Sequence, residues 1–140
     1  MPALVQDTFA LPTTLPSIDD ARRWVSAHAR LAQLDPEAIS ELEIAMTEAL
    51  SNVIRHSYDE QPGERILLSL RIDDDKLELG IRDRGRPFDT DAYLPPDLDV
   101  PSDSGYGVFL MEELMDEVTR LPLDEGGTLV SLVRYRKEPG

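Results

Sequence analysis

EALSNVIRHSY, residues 48–58, closes a segment whose apolar residues recur at helical spacing. Ile39, Leu42, Met46, Ala49, Leu50 and Val53 form one stripe, centred near Met46. Glu48 and Asn52 fall at the border of that stripe. With His56 they follow one another at i, i+4, i+8 along one flank. Asp35-Pro36-Glu37 starts the helix with an N-cap, a proline at the first helical position and an acid favoured by the helix dipole. The helix is expected to run to about Ser57. An Asn on this flank offers a neutral oxygen that can hold a hard cation such as Mg2+ without cancelling its charge. A Glu one turn earlier can accept a proton from a hydroxyl or orient a water. Taken alone, such a flank is more often a solvated edge, and a lone His56 is more often a capping or packing residue.

Outward from this helix the chain divides into short elements. Residues 3–11 read as a strand, which Pro12 and Pro16 interrupt. Ser17, with Asp20 three residues on, resembles a capping box. It opens a helix to about Leu34 with Ile18, Ala21, Val25, Ala29 and Ala32 as its apolar face. Beyond residue 58, Gln61-Pro62-Gly63 is a turn. ERILLSLRI (64–72) and KLELGIRD (76–83) then read as two strands joined through Asp73-Asp74-Asp75, an antiparallel hairpin. RGRPFDTDAYLPPDLDVPSDS (84–104) carries four prolines and no clear period. A loop this long inside a compact domain is more often a functional lid than a plain connection. GYGVFLMEELMDE (105–117) reads as a helix entered through glycines. A turn at Gly126-Gly127 leads into a last strand, GTLVSLVRYR (127–136), with a further short strand near 118–122. This order predicts an α+β class: a mixed, mostly antiparallel sheet with helices on one face, in one domain over 1–140.

Composition narrows the function. A chain of 140 residues can bury about 70 % of its unfolded surface in one core. With 41 % hydrophobic and 30 % charged residues it belongs among globular chains. Twenty-eight acids against 14 bases give a net charge of −14, which disfavours nucleic acid and anionic membranes as ligands. The absence of cysteine removes disulfides, thiolate zinc sites, Fe–S clusters and cysteine nucleophiles together. His28 and His56 are the only histidines, too few for a multi-histidine metal centre. MPALVQDTFALPTTLP (1–16) has no basic segment leading into an apolar run, so a cytoplasmic protein is expected.

Two further places carry chemistry. Asp83-Arg84-Gly85-Arg86-Pro87-Phe88 follows a strand directly. A buried Asp at a strand end can accept a hydrogen bond from an exocyclic amine such as that of adenine, and Gly85 permits close approach of a flat ring. The same sequence also suits a plain turn. In Ser104-Gly105-Tyr106-Gly107-Val108-Phe109-Leu110, two glycines opening a helix expose N–H groups and the positive dipole end, which suits a phosphate. Leu110 stands where a dinucleotide fingerprint needs a glycine, and the chain has no Gly-Lys pair for a Walker loop.

Together, in this order and spacing, the three places resemble the nucleotide site of the GHKL ATPase superfamily, and more narrowly the stand-alone anti-sigma factor serine kinases. Glu48 to Tyr58 is similar to their N-box, Asp83 to Asp89 (DRGRPFD) to the first glycine box, and Gly105 to Val118 to the second glycine box and its helix. The resemblance covers about 5–136. It implies a Bergerat-type α/β sandwich and a serine/threonine kinase acting with ATP and Mg2+. It further implies Glu48 as general base for the attacking hydroxyl and Asn52 as the Mg2+ ligand. Asp83 would hold the adenine amino group and Gly85 would line that pocket. Gly105 and Gly107 would present N–H groups to the phosphates, and Thr128 would back the adenine site. The lid would span about 88–104.

The implied partners are an anti-anti-sigma protein of the STAS type, which would be phosphorylated, and a sigma factor or other regulator, which would be sequestered. A homodimer is expected, with the apolar first strand and Trp24 as contributors. The sequence departs from the family in one respect: residues 87–119 contain no Lys or Arg, while Asp89, Asp91, Asp97, Asp99 and Asp103 fall between Phe88 and Gly105. Relatives usually carry a basic residue near the second glycine box. This departure motivates a second reading, a nucleotide-sensing sequestration protein without kinase activity.

Overall fold

The computed structural model describes residues 5–57, 63–84, 111–124 and 126–136, with the side chains of 56 and 57 outside it. The chain runs β1 (Val5–Pro12), α1 (Ile18–Leu31), α2 (Pro36–Asn52), β2 (Arg65–Ile72), β3 (Lys76–Asp83), β4 (Glu117–Pro122) and β5 (Thr128–Tyr135). Residues 111–114 are helical and lead into β4. The five strands form one sheet in the order β1-β2-β3-β5-β4. Every described pairing is antiparallel, in keeping with the α+β class and mostly antiparallel sheet expected.

Burial alternates strictly along β2. Ile66, Leu68, Leu70 and Ile72 of β2 are buried on one face, and Leu77, Leu79 and Ile81 of β3 share it. The predicted stripes of both helices cover that face: Ile18, Ala21, Val25, Ala29 and Ala32 from α1, and Ile39, Leu42, Met46, Ala49, Leu50 and Val53 from α2 are all buried. Met111 and Met115 join the same core. Antiparallel sheets tolerate one covered and one open face, and this sheet is of that kind.

The helix starts differ from expectation. Ser17 makes no side-chain cap bond, because its backbone is already helical inside a 3-10 turn at Leu15–Ser17. Its hydroxyl lies instead 2.5 Å from that of Thr14. Asp35 has the extended backbone of an N-cap, yet its carboxylate caps nothing. Its carbonyl accepts the first bond of the helix, from Ile39 N. At its far end α2 stops at Asn52, and Val53–Ser57 continue as a π turn. The β2–β3 hairpin turns on Asp73 as expected. Its carboxylate accepts from the N–H groups of Lys76 and Asp75, and these bonds hold its pKa below the usual value.

Among the described residues no helix is long and apolar enough to cross a membrane.

Candidate functional site

Asp83 ends β3 and is only 2 % exposed. A carboxylate reaches such a position only where polar groups meet it. Its partner across the β3–β5 ladder is Thr128. Two residues expected at an adenine pocket, 45 apart in sequence, are thus neighbours at one end of the sheet.

Gly127 makes this juxtaposition feasible and was not singled out from the sequence beyond its place in a turn. Its φ is +90°, a conformation that L side chains rarely adopt. A Cβ there would collide with the Asp83 carbonyl oxygen and come within 2.6 Å of Arg84 Cα. The bare backbone at 127 lets β5 enter directly against the end of β3. The Gly-Gly pair signalled a turn, and nothing local signalled what it packs on.

Glu48 and Asn52 lie within α2, both half-buried, at the i, i+4 spacing read from sequence. The position of α2 is fixed by Glu41, which forms an ion pair with Arg134 of β5. The same guanidinium donates to Leu114 O at 3.0 Å, so one side chain ties α2, β5 and the helical turn at 111–114 together. From Glu41 to Asn52 the helix advances about 16 Å. From Arg134 back to Thr128, β5 covers about 20 Å. The N-terminal end of α2, at Asp35 and Ala38, shares a concavity with Leu77, Tyr135 and Arg136 at the opposite end of the sheet. Its C-terminal end is therefore directed toward the edge that carries Asp83 and Thr128. Arg134 and Glu41 are residues that sequence reasoning missed, because a salt bridge across 93 positions leaves no periodic trace.

Asn52 Nδ2 is buried with no hydrogen-bond partner. Orphaned buried amides are rare and call for an explanation. A flip of the carboxamide exchanges its oxygen and nitrogen at this position. With the oxygen in that position the residue offers one neutral donor to a hard cation, and with the nitrogen there it offers an N–H to an anionic oxygen. Both fit a Mg2+–phosphate ligand. Among the described residues no group of three or more His, Asp or Glu side chains is arranged to hold a metal.

The π turn directly after Asn52 replaces i→i+4 winding by i→i+5. Position 56 therefore leaves the phase of Glu48 and Asn52, against the expectation of a continuous flank. Gly85, Gly105, Gly107 and the expected lid at 88–104 lie outside the described residues, as does the side chain of His56.

Comparison with known proteins agrees with the fold. The model of the histidine kinase-like ATPase domain family matches residues 11–134. The chain is 32 % identical over 139 residues to the serine-protein kinase RsbW of Listeria innocua, covering 94 % of this chain and 87 % of that one. It is 31 % identical over 137 residues to the protein of the same name from Staphylococcus epidermidis, covering 91 % and 85 %. Among solved structures, the crystal structure of RsbU and RsbW domains of a Mycobacterium tuberculosis protein superposes with a TM-score of 0.70. That match has 18 % identity and covers 95 % of this chain and 33 % of the other, and it speaks to the fold alone. The order of the boxes, the antiparallel sheet with helices on one face and the family match all lead to one statement: the chain belongs to the histidine kinase-like ATPase domain family.

Proposed function

We propose that this protein is a Mg2+- and ATP-dependent serine/threonine kinase of a partner-switching system. It phosphorylates an anti-anti-sigma protein of the STAS type and, in its other state, sequesters a sigma factor or another regulator. The observation that carries the reading is the buried Asp83 opposite Thr128 at the sheet edge toward which Glu48 and Asn52 are directed. Relatives named serine-protein kinase at 32 % identity support the reaction type. The proposed unit is one domain over 1–140, with a core of about 5–136 and a lid of about 88–104, acting in the cytoplasm as a homodimer.

In this reading Asp83 accepts a hydrogen bond from the adenine amino group, with Gly85 and Thr128 lining the pocket around the ring. Gly105 and Gly107 give main-chain N–H groups to the phosphates. Asn52 would hold Mg2+, which supplies charge neutralisation at the phosphates when bound. The Glu48 carboxylate takes the proton from the partner's serine hydroxyl as its oxygen forms a bond to the γ-phosphorus. The bond from that phosphorus to the bridging oxygen breaks, and ADP leaves. Phosphoryl transfer depends chiefly on placement and charge stabilisation, which this set is suited to supply.

Thermal unfolding with and without 1 mM Mg·ATP, on the wild type and Asn52→Ala, tests the site. Binding near 10 μM stabilises by roughly 2.7 kcal/mol, a rise of about 6–14 °C in Tm. The rise is expected to need Mg2+ and to be lost in Asn52→Ala. Incubation with a STAS-type partner and mass spectrometry then separates the two readings. A phosphoserine lost in Glu48→Gln supports the kinase. Nucleotide-dependent partner affinity without a phosphorylated product supports the sequestration protein, which the absence of Lys and Arg over 87–119 favours.

A further inference from the structure

At the end of the sheet away from Asp83 and Thr128, the helix layer leaves a cavity of about 400 Å³. Leu34, Ala38 and Leu77 give it an apolar wall, and Arg134 and Arg136 bring two guanidinium groups to it. Its form follows from the turn between α1 and α2. Gln33 N donates to Arg30 O and Leu34 N to Ala29 O, the paired bonds that end a helix on one left-handed residue. That residue is Gln33, with φ +58°, the one non-glycine at positive φ among the described residues. Glycine usually fills such a position, so a side chain is kept at the cavity rim against a conformational cost. The turn sends Leu34 back against the core. Ala38, in the first turn of α2, is too short to close the space beside Leu77.

The cations fix the chemistry of an occupant. Arg136 directly follows β5 and is half-buried. Its Nη1 donates to Asp73 O at 2.8 Å and its Nη2 to Ala32 O at 3.0 Å. Both partners are main-chain carbonyls, and among the described residues no carboxylate pairs with this guanidinium. Two of the five N–H donors of the group are thereby used, which leaves three. Arg134 meets Glu41 and Leu114 O through Nη1 alone, so its Nε and Nη2 have no partner among the described residues. Asp35, the one acid among the lining residues, is exposed, and its carboxylate caps nothing. In a chain of 28 acids and 14 bases, a cavity with this balance selects an anion. Guanidinium keeps its charge at any working pH, and its planar fork matches a carboxylate. The wall of Leu34, Ala38 and Leu77 favours a hydrocarbon body over a bare inorganic ion.

We infer that this cavity is a second ligand site, one that takes a small organic carboxylate with an apolar body. The charged group is held by Arg136 and Arg134, and the body rests on Leu34, Ala38 and Leu77. The volume falls within the range of about 300–1,000 Å³ usual for small-molecule sites. The site is separate from the nucleotide site of the proposed function, since β5 covers about 20 Å between Arg134 and Thr128. It goes beyond that function and does not rest on it.

Isothermal titration calorimetry of the full chain with naphthoate tests it, with naphthylmethanol as the uncharged counterpart and octanoate as an aliphatic second probe. The carboxylates are expected to bind, and the alcohol to bind about tenfold more weakly or worse. Arg136→Gln should weaken naphthoate by about tenfold or more and leave the alcohol nearly unchanged. That variant also disturbs the bonds to Asp73 O and Ala32 O, so Ala38→Phe provides the second arm. It fills the cavity without removing a hydrogen bond and should exclude all three probes, while a cooperative thermal transition shows that it is folded. Saturating Mg·ATP should leave naphthoate affinity unchanged, and Asn52→Ala should bind naphthoate as the wild type does. Failure of the nucleotide site is thereby told apart from failure of this one. Equal binding of naphthoate and naphthylmethanol overturns the role of the two arginines. Binding that survives Ala38→Phe, or that Mg·ATP competes away, overturns the location. No binding of naphthoate or octanoate at about 5 mM overturns the site altogether.

Discussion

Gly126 and Gly127 both adopt positive φ, +98° and +90°, yet their surroundings differ. A Cβ at Gly126 has open space around it, whereas one at Gly127 strikes the main chain of Asp83 and Arg84. Left-handed strain alone costs about 1 kcal/mol. Collision with a backbone that cannot swing aside adds to it, so Gly127→Ala is expected to destabilise by about 2–4 kcal/mol and Gly126→Ala by about 1 kcal/mol. Urea unfolding of the two variants checks the ranking, and equal losses would mean that the approach to Asp83 is unimportant. The Gly127 variant should also lose Mg·ATP stabilisation if Asp83 and Thr128 form one pocket. At this scale the sequence was legible where chemistry has a local signature. Glu48, Asn52 and Asp83 stood out by spacing and strand position and Thr128 through the family resemblance, and the fold sets Asp83 and Thr128 opposite each other. Gly127, Glu41 and Arg134 did not stand out, since what each touches is set by the sheet and lies far away in the chain.

The elements themselves were legible because each has a period: the apolar stripes of α1 and α2 and the alternation in β2 and β3 were buried as read. The π turn escaped notice because Val53 and Ile54 are both buried, and an apolar pair fits either winding. The side-chain caps failed because a capping sequence states only a capability: before α1 the 3-10 turn already offers Leu15 O and Pro16 O to Ile18 N, and at Asp35 the carboxylate caps nothing. Nor does any pattern announce how α1 is held to β1. Asp7 Oδ2 accepts from Trp24 Nε1 at 3.0 Å and lies 2.8 Å from His28 Nε2, while Trp24 stacks on Phe9 and meets His28 edge-on. The bond from Trp24, then the Thr8 N–H and His28, hold the Asp7 carboxyl below its usual 3.8. A depressed carboxylate stabilises the fold above its unfolded pKa, and that contribution disappears as pH falls through the folded value. Asp7→Asn is therefore expected to be less stable than the wild type from pH 5 to 7, with the two unfolding curves converging as pH drops below about 3.8. A difference that persists unchanged at pH 2 would assign the loss to shape rather than charge.

At the scale of the whole molecule, net charge was plain from composition, but its distribution needed the register. Only when β1-β2-β3-β5-β4 is known do Arg65, Arg71, Lys76 and Arg82 come together with Glu78 and Glu117 on one face of the sheet. That order was not readable, because the chain leaves β3, forms β4 at the outer edge and returns to fill the gap with β5. The uneven charge makes a prediction of sign. Two copies of charge −14, taken as points about 30 Å apart, repel by roughly 27 kcal/mol in water before screening. Screening leaves roughly a third of that at 0.01 M salt and about 2 % at 0.15 M. For a homodimer of the proposed kind, what stands against it is chiefly apolar contact, which salt hardly alters. Repulsion dominates at low salt and apolar contact at physiological salt. The dimer dissociation constant is accordingly expected to fall by tenfold or more, on the order of magnitude these terms allow, between 0.01 M and 0.15 M NaCl. Sedimentation equilibrium at the two salt concentrations reads it directly. Weakening with salt would mean that ion pairs, and not apolar contact, hold the two copies together.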